Sequence, residues 1–140
     1  MFDSNMKESQ DNTVDLFDMD LTVAKAMLLY MYTREVEELP TEKILQLYVA
    51  ADKYMLPELK EKCRNNVLEN LSSKNIGEVF EIAKLHSDTI MAKTAKNFFA
   101  DHVGSILDSE EWERFSAEKL ALSVELLSYA IKSNAFFFLR

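Results

Sequence analysis

Ala50-Ala51-Asp52-Lys53-Tyr54-Met55-Leu56-Pro57-Glu58-Leu59-Lys60-Glu61-Lys62-Cys63 is the stretch whose punctuation decides the fold class. Pro57 cannot donate a backbone hydrogen bond, so it suits a first helical position, where that donor has no partner anyway. From it Leu59, Cys63, Val67 and Leu71 recur four residues apart, which predicts a helix over 57–71. Glu58 falls in the first turn; Lys60, Lys62 and Arg64 come after it. Just upstream, Ile44, Leu45, Leu47, Tyr48, Ala51 and Tyr54 form the apolar face of a second helix over 42–54, which Thr41 is placed to cap. Two amphipathic helices therefore meet at a break of two or three residues.

The same periodicity extends in both directions. Leu21, Val23, Ala24 and the run Met27–Met31 predict a helix over 20–33, started by Asp18 or Asp20 and apolar nearly all round. Such a helix is expected to be buried on most sides. Residues 33–40 read as a linker, since Pro40 steers Leu39 away from helical dihedrals. Downstream, Ser72 or Ser73 is expected to cap a helix to about His86, with Ile76, Val79, Phe80, Ala83 and Leu85 as its apolar set. Ser87 restarts the chain into a helix over 88–102. Asp108-Ser109-Glu110-Glu111 fits a capping box before Trp112. The last helix, 117–132, carries Leu120, Val124, Leu127 and Ile131 as an apolar stripe. Phe2 and Met6 suggest a short helix near the start, and alternation in Val14-Asp15-Leu16-Phe17 suggests one short strand over 13–17. No repeat of 33–47 residues is present.

Composition agrees. Two glycines and two prolines in 140 residues are too few for the tight turns of a sheet-rich fold. Apolar residues make up 48%, enough for a core. A formal net charge of −8 argues against nucleic acid and against an anionic membrane surface as partners. One cysteine, Cys63, precludes an internal disulfide and suits a reducing, intracellular compartment, nucleus or cytoplasm. Met1–Lys7 lacks the basic-then-apolar pattern of a signal peptide. No stretch reaches the ~20 apolar residues of a membrane span, and the apolar tail 136–140 is too short for one.

Candidates for chemistry are thin. His86, Ser87 and Asp88 are neighbours in sequence, but a catalytic triad needs those groups converging from different elements; helix capping explains Ser87 and Asp88 better. Two histidines and one cysteine offer no metal-ligand spacing. Cys63 lies on an apolar stripe, as a structural thiol does. Gly77 and Gly104 stand alone, so there is no phosphate loop. No catalytic, cofactor or metal site is expected, and the chain is read as a protein-interaction module.

One resemblance sharpens that reading. Ala50-Ala51-Asp52-Lys53-Tyr54-Met55-Leu56, with Leu59-Lys60 and Cys63, resembles the A-A-D-K-Y-x-L-x-x-L-K-x-x-C signature near the end of BTB/POZ domains. Tyr32-Thr33 resembles the end of the family's F-I-Y-T helix. Leu71-Ser72, Asn75 and Ala83-Lys84-Leu85-His86-Ser87 are similar to the segment opening the BACK-like three-box region of the speckle-type POZ protein group. Leu107, Ser109 and Trp112 fit the next segment of that region. Met1–Met6 resembles the M-F-x-x-x-M in the middle of a BTB domain.

The resemblance implies a mainly α chain: the helical rear half of a BTB/POZ α+β fold at 1–70, BACK-like helical hairpins at 71–135, and a tail at 136–140. It also implies that the front half of the BTB domain, with its dimerising helix, and the substrate-reading MATH domain lie outside this sequence. Members of the group are adaptors of cullin-3 ubiquitin ligases. Met6-Lys7-Glu8 matches their φ-x-E motif, which makes Met6 and Glu8 candidates for contact with the cullin-3 N-terminal domain. Tyr54, Val79 and Phe80 are further groove candidates. Leu127 stands where the group has a tyrosine used in self-association and keeps an apolar contact without the hydroxyl; a homo-oligomer is expected to be possible but weakened by loss of the dimerising half. The alternative is a self-associating fragment with no ligase role. An apolar helix 21–31 left under-covered would favour it.

Overall fold

The computed structural model describes residues 20–139, with 135–139 as backbone only. The short helix expected near Phe2 and Met6 and the strand expected at 13–17 lie outside the described residues. Every regular element among the described residues is a helix. The chain divides into two compact units, residues 1–63 and 64–140.

In the first unit, α1 (Leu21–Thr33) packs against α2 (Thr41–Lys53). The Asp20 carboxylate accepts the Thr22 N–H at 2.7 Å and pairs with Lys43. The Lys43 hydrogen bond holds that carboxyl below its ordinary range. Val23, Ala26, Met27 and Tyr30 are buried on α1, and Ile44, Leu45, Leu47, Tyr48, Ala50 and Ala51 on α2. Thr41 is not the cap. Pro40 takes that position, its carbonyl accepting from Lys43 N–H at 2.9 Å and Ile44 N–H at 3.0 Å; Thr41 is the first helical residue. Proline's fixed φ already suits the turn into a helix.

The break before α3 (Pro57–Glu69) is a Schellman closure. Leu56 N–H returns to the Ala51 carbonyl at 2.8 Å and Met55 N–H to that of Asp52 at 3.3 Å. Met55 takes the left-handed φ of 58° that this motif requires and that glycine would supply without strain. Leu59 and Cys63, early in α3, are fully buried. Lys60 pairs with Asp52 at 2.7 Å.

The second unit is built from α4 (Ile76–Leu85), α5 (Thr89–Asp101), α6 (Val103–Leu107), α7 (Glu110–Glu118) and α8 (Leu120–Leu139). α5 packs on both α4 and α8, and α7 lies against α4 and α8. Ile76, Val79, Phe80, Ala83, Met91, Ala95, Phe99, Ile106, Trp112, Leu126 and Ala130 make the core. Ser72 makes the cap-like bonds expected of it, its hydroxyl accepting the Lys74 N–H at 3.2 Å and its carbonyl the Ile76 N–H at 3.0 Å, but they belong to a turn, and regular α4 starts one turn later than expected. Asn75 precedes the helix without a side-chain cap, its side chain accepting the Ser72 N–H at 2.8 Å and donating to the Asn70 carbonyl at 2.9 Å. Both serines are thereby left in a turn ahead of the helix. Ser109 caps α7, accepting from Trp112 N–H at 3.2 Å.

Two apolar stripes face the other way from expectation. On α1, Leu21, Leu28, Leu29, Met31 and Tyr32 are exposed, Tyr32 at 90%. The buried set of α1 repeats at three and four residues on one side, so an all-round apolar sequence is used on one face only. On α8, Leu120, Val124 and Ile131 are exposed and Leu127 half-buried, while Ser123, Leu126 and Ala130 are buried. Small Ser123 and Ala130 let α8 approach α5 closely, and Ser123 satisfies its hydroxyl on the Leu120 carbonyl at 2.7 Å. Glu125 receives Lys84 at 3.1 Å and Lys96 at 3.2 Å. Burial pushes its carboxyl up, but the two lysine hydrogen bonds outweigh that and hold it below the ordinary carboxylate range.

Candidate functional site

Three features of the described residues suit binding of another protein, and none suits catalysis. The first is a cleft of about 370 Å³ between α4 and α7. Its floor is Ile76, Trp112 and Phe115; its rim carries Glu78, Glu81, Glu111, Arg114 and Lys119. Trp112 is buried against Phe99 (ring centroids 4.9 Å apart) and leans on Phe115 (5.5 Å). Glu81 and Lys119 close one end at 2.9 Å, and that hydrogen bond raises the Lys119 ammonium above its ordinary value. An apolar floor inside a charged rim is the usual make-up of a recognition pocket.

Gly77 shapes this cleft. A Cβ there would lie 2.6–2.7 Å from the Phe115 ring, so the ring occupies the space a side chain would take. Close approach is a use of glycine that outweighs its cost inside a helix. Gly77 is the second residue of α4, so Gly77→Ala gains at most the about 1 kcal/mol of propensity that a helix interior would give. Overpacking against the ring costs about 1–3 kcal/mol. The expected outcome is a net loss of thermal stability and a displaced Phe115, read by calorimetry and by a shift in Trp112 fluorescence. An unchanged melting temperature and emission would contradict this packing.

The second feature is the outward face of α1. Leu21, Leu28 and Tyr32 fall within about 40° of one another on the helix, opposite the buried Val23, Ala26 and Tyr30. The third is the outward stripe of α8, where Leu120, Val124, Leu127 and Ile131 repeat at 4-3-4 spacing, the seam pattern of paired helices.

The residues singled out from sequence are not brought together. Met6 and Glu8 lie outside the described residues. Tyr54 is the C-cap of α2, 36% exposed, with the Lys53 ammonium 5.7 Å from its ring centroid. Val79 and Phe80 have no exposed surface, so they shape the unit from inside and present nothing to a partner. Leu127 is half-buried within the outward α8 stripe. The residues missed are Gly77 and Phe115. A lone glycine in the first turn of a helix was the available signal.

Chemistry is equally plain. Burial pushes the Cys63 thiol up to about 12, the opposite of an activated nucleophile. Asp88 caps α5, accepting from Met91 N–H at 3.0 Å, so the His86-Ser87-Asp88 run serves a helix junction. Among the described residues no group of His, Cys, Asp and Glu is placed to hold a metal. No helix among them is long and apolar enough to cross a membrane.

Comparison with known proteins agrees with the interaction surfaces. The family model of the BTB/POZ domain matches residues 1–71. A BTB/POZ domain-containing protein of Arabidopsis thaliana is 32% identical over 127 residues, covering 90% of this chain and 61% of that protein. TD and POZ domain-containing proteins 3 and 5 of Mus musculus are 33% and 31% identical over 114 residues. Each covers 81% of this chain, and the match takes in 31% and 34% of the two mouse proteins. The chain thus spans 61% of the plant relative and about a third of each mouse relative.

Proposed function

The chain belongs to the BTB/POZ domain family, a family of protein–protein interaction domains, and from that premise we propose that it is a non-enzymatic docking module of a cullin-3 ubiquitin ligase of the speckle-type POZ group. In this reading residues 1–70 are the rear part of a BTB domain and 71–135 a three-box or BACK-like segment. Met6 and Glu8 touch the cullin-3 N-terminal domain, and the module works inside the cell. The observation that carries the reading is the cleft between α4 and α7, with Trp112 and Phe115 on its floor and glutamates around it. It lies in the segment where the group's three-box helices help to receive the cullin. A flexible Met fills an irregular apolar pocket, and a carboxylate such as Glu8 accepts hydrogen bonds from partner donors.

The test is titration of the chain with a cullin-3 N-terminal domain by calorimetry. Association in the micromolar range is expected. Glu8→Lys and Phe115→Ala are each expected to weaken it by about tenfold or more, the size of a modest hot spot. No association at tens of micromolar, or no effect of either substitution, would sink the proposal.

A second reading has its own observation, the exposed apolar faces of α1 and α8. Faces of this kind become interfaces, and Leu127 in the α8 stripe is the residue to change. Native mass spectrometry decides: a dimer that Leu127→Lys dissociates supports self-association, and a clean monomer removes it.

A further inference from the structure

Three lysines converge on one cavity in a chain whose formal charge is −8. The cavity, about 520 Å³, opens among α4, α5 and α8 and is walled by Lys84, Lys93, Lys96, Ala83, Ala92 and Tyr129. Lys84 and Lys96 share a single carboxylate, Glu125, at 3.1 and 3.2 Å. Lys93 is exposed and pairs with no carboxylate among the described residues. Asp88, also on the wall, is matched by Arg64 at 2.9 Å. Three ammonium groups thus face one free-standing carboxylate, an excess of two positive charges at one opening.

Two of the three lysines, Lys84 and Lys96, are held in place. The Lys96 ammonium lies 5.7 Å from the Tyr129 ring centroid and 6.0 Å from that of Phe80, and Lys84 lies 6.0 Å from Phe80. Cations over ring faces lose less freedom when they bind an anion. Glu125 shows in miniature how a carboxylate sits between two of them. Ala83, Ala92 and the Tyr129 ring supply the apolar part of the wall, beside polar Ser87, Asp88 and Thr89.

We propose that this cavity docks an acidic segment of a partner protein, carboxylates on the lysines and an apolar side chain against Ala83, Ala92 and Tyr129. Nucleic acid fits less well, because a long polyanion would meet the net negative charge of the rest of the chain. The surface is separate from the cleft at Phe115 and does not depend on cullin binding.

The experiment is fluorescence anisotropy with the whole chain and a labelled peptide alternating Glu and Leu, beside a counterpart carrying Gln for Glu. Saturable binding of the Glu peptide is expected at about 50 mM NaCl and weakens as salt screens the lysines. Lys93→Glu is expected to weaken it by about tenfold, with Lys93→Gln in between. Lys25→Glu, the same charge change on α1 in the other unit, is expected to leave it unaltered. The proposal is overturned if the Gln peptide binds as well, if Lys25→Glu weakens binding as much as Lys93→Glu, or if nothing binds at about 1 mM.

Discussion

Phe80→Ala lowers the unfolding free energy by about 3–5 kcal/mol, the range for emptying a fully buried aromatic site. Phe80 has no exposed surface and sits among Ile76, Val79 and Ala83 on the packed face of α4. Its ring also lies beneath the ammonium groups of Lys84 and Lys96, so truncation removes a platform along with core volume. A domain of this size has about 5–15 kcal/mol of stability. The expected result is a midpoint in urea lowered by about 2 M, at the ~1–3 kcal/mol/M slope of small proteins. The measurement also separates two roles for this residue. A core role predicts that the fraction still folded binds the cullin-3 N-terminal domain normally. A docking role predicts lost binding at unchanged stability, and that outcome would overturn the packing described here.

The buried state of Val79 and Phe80 shows where sequence reading succeeds and where it stops. The apolar set of α4 was legible because its residues recur at helical spacing, and the structure buries all of it except Leu85. Periodicity cannot say which of two apolar faces is covered, however. On α1 and α8 nearly every side of the helix is apolar, so the covered face is chosen by what packs there. On α8 that choice falls on small Ser123 and Ala130 beside Leu126. Most helix ends were legible to within three residues, the exception being the last helix, which runs to Leu139 where 132 was expected; the chemistry of the ends was not legible. Met55 at the end of α2 and Ser87 at the end of α4, where the Ser87 N–H returns to the Lys84 carbonyl and the Asp88 N–H to that of Ala83, put a residue other than glycine at the left-handed position of a Schellman closure, and the usual signal is a glycine. The cleft at Gly77 and the lysine-lined cavity were hidden for a related reason. Each is made by residues far apart in sequence, and only the packing of α4 on α5, α7 and α8 brings them to one place.

Asp88→Ala is the other substitution with a large expected effect, because several interactions pass through this one residue. Its backbone N–H closes α4 on the Ala83 carbonyl at 2.8 Å. Its carboxylate caps α5 through Met91 N–H at 3.0 Å and takes the Arg64 Nε at 2.9 Å, the side chain being only 4% exposed. Alanine keeps the first and loses the other two. The lost cap costs about 1 kcal/mol. Removing one partner of a largely buried ion pair costs up to about 3–5 kcal/mol, less here because Arg64 is still 19% exposed and water can reach it. The expected loss is about 2–4 kcal/mol. Asp88→Asn separates the two contributions. It retains an oxygen for the Met91 N–H and gives up the charge, so it recovers the cap and about 1 kcal/mol of the loss. If the ion pair matters as its burial implies, Arg64→Leu in the Asp88→Ala background restores stability, since it removes the charge left unpaired. Equilibrium urea unfolding of the two single variants and the double variant gives the coupling energy. A coupling near zero would mean that the Arg64 ion pair adds nothing to what Asp88 does at this junction.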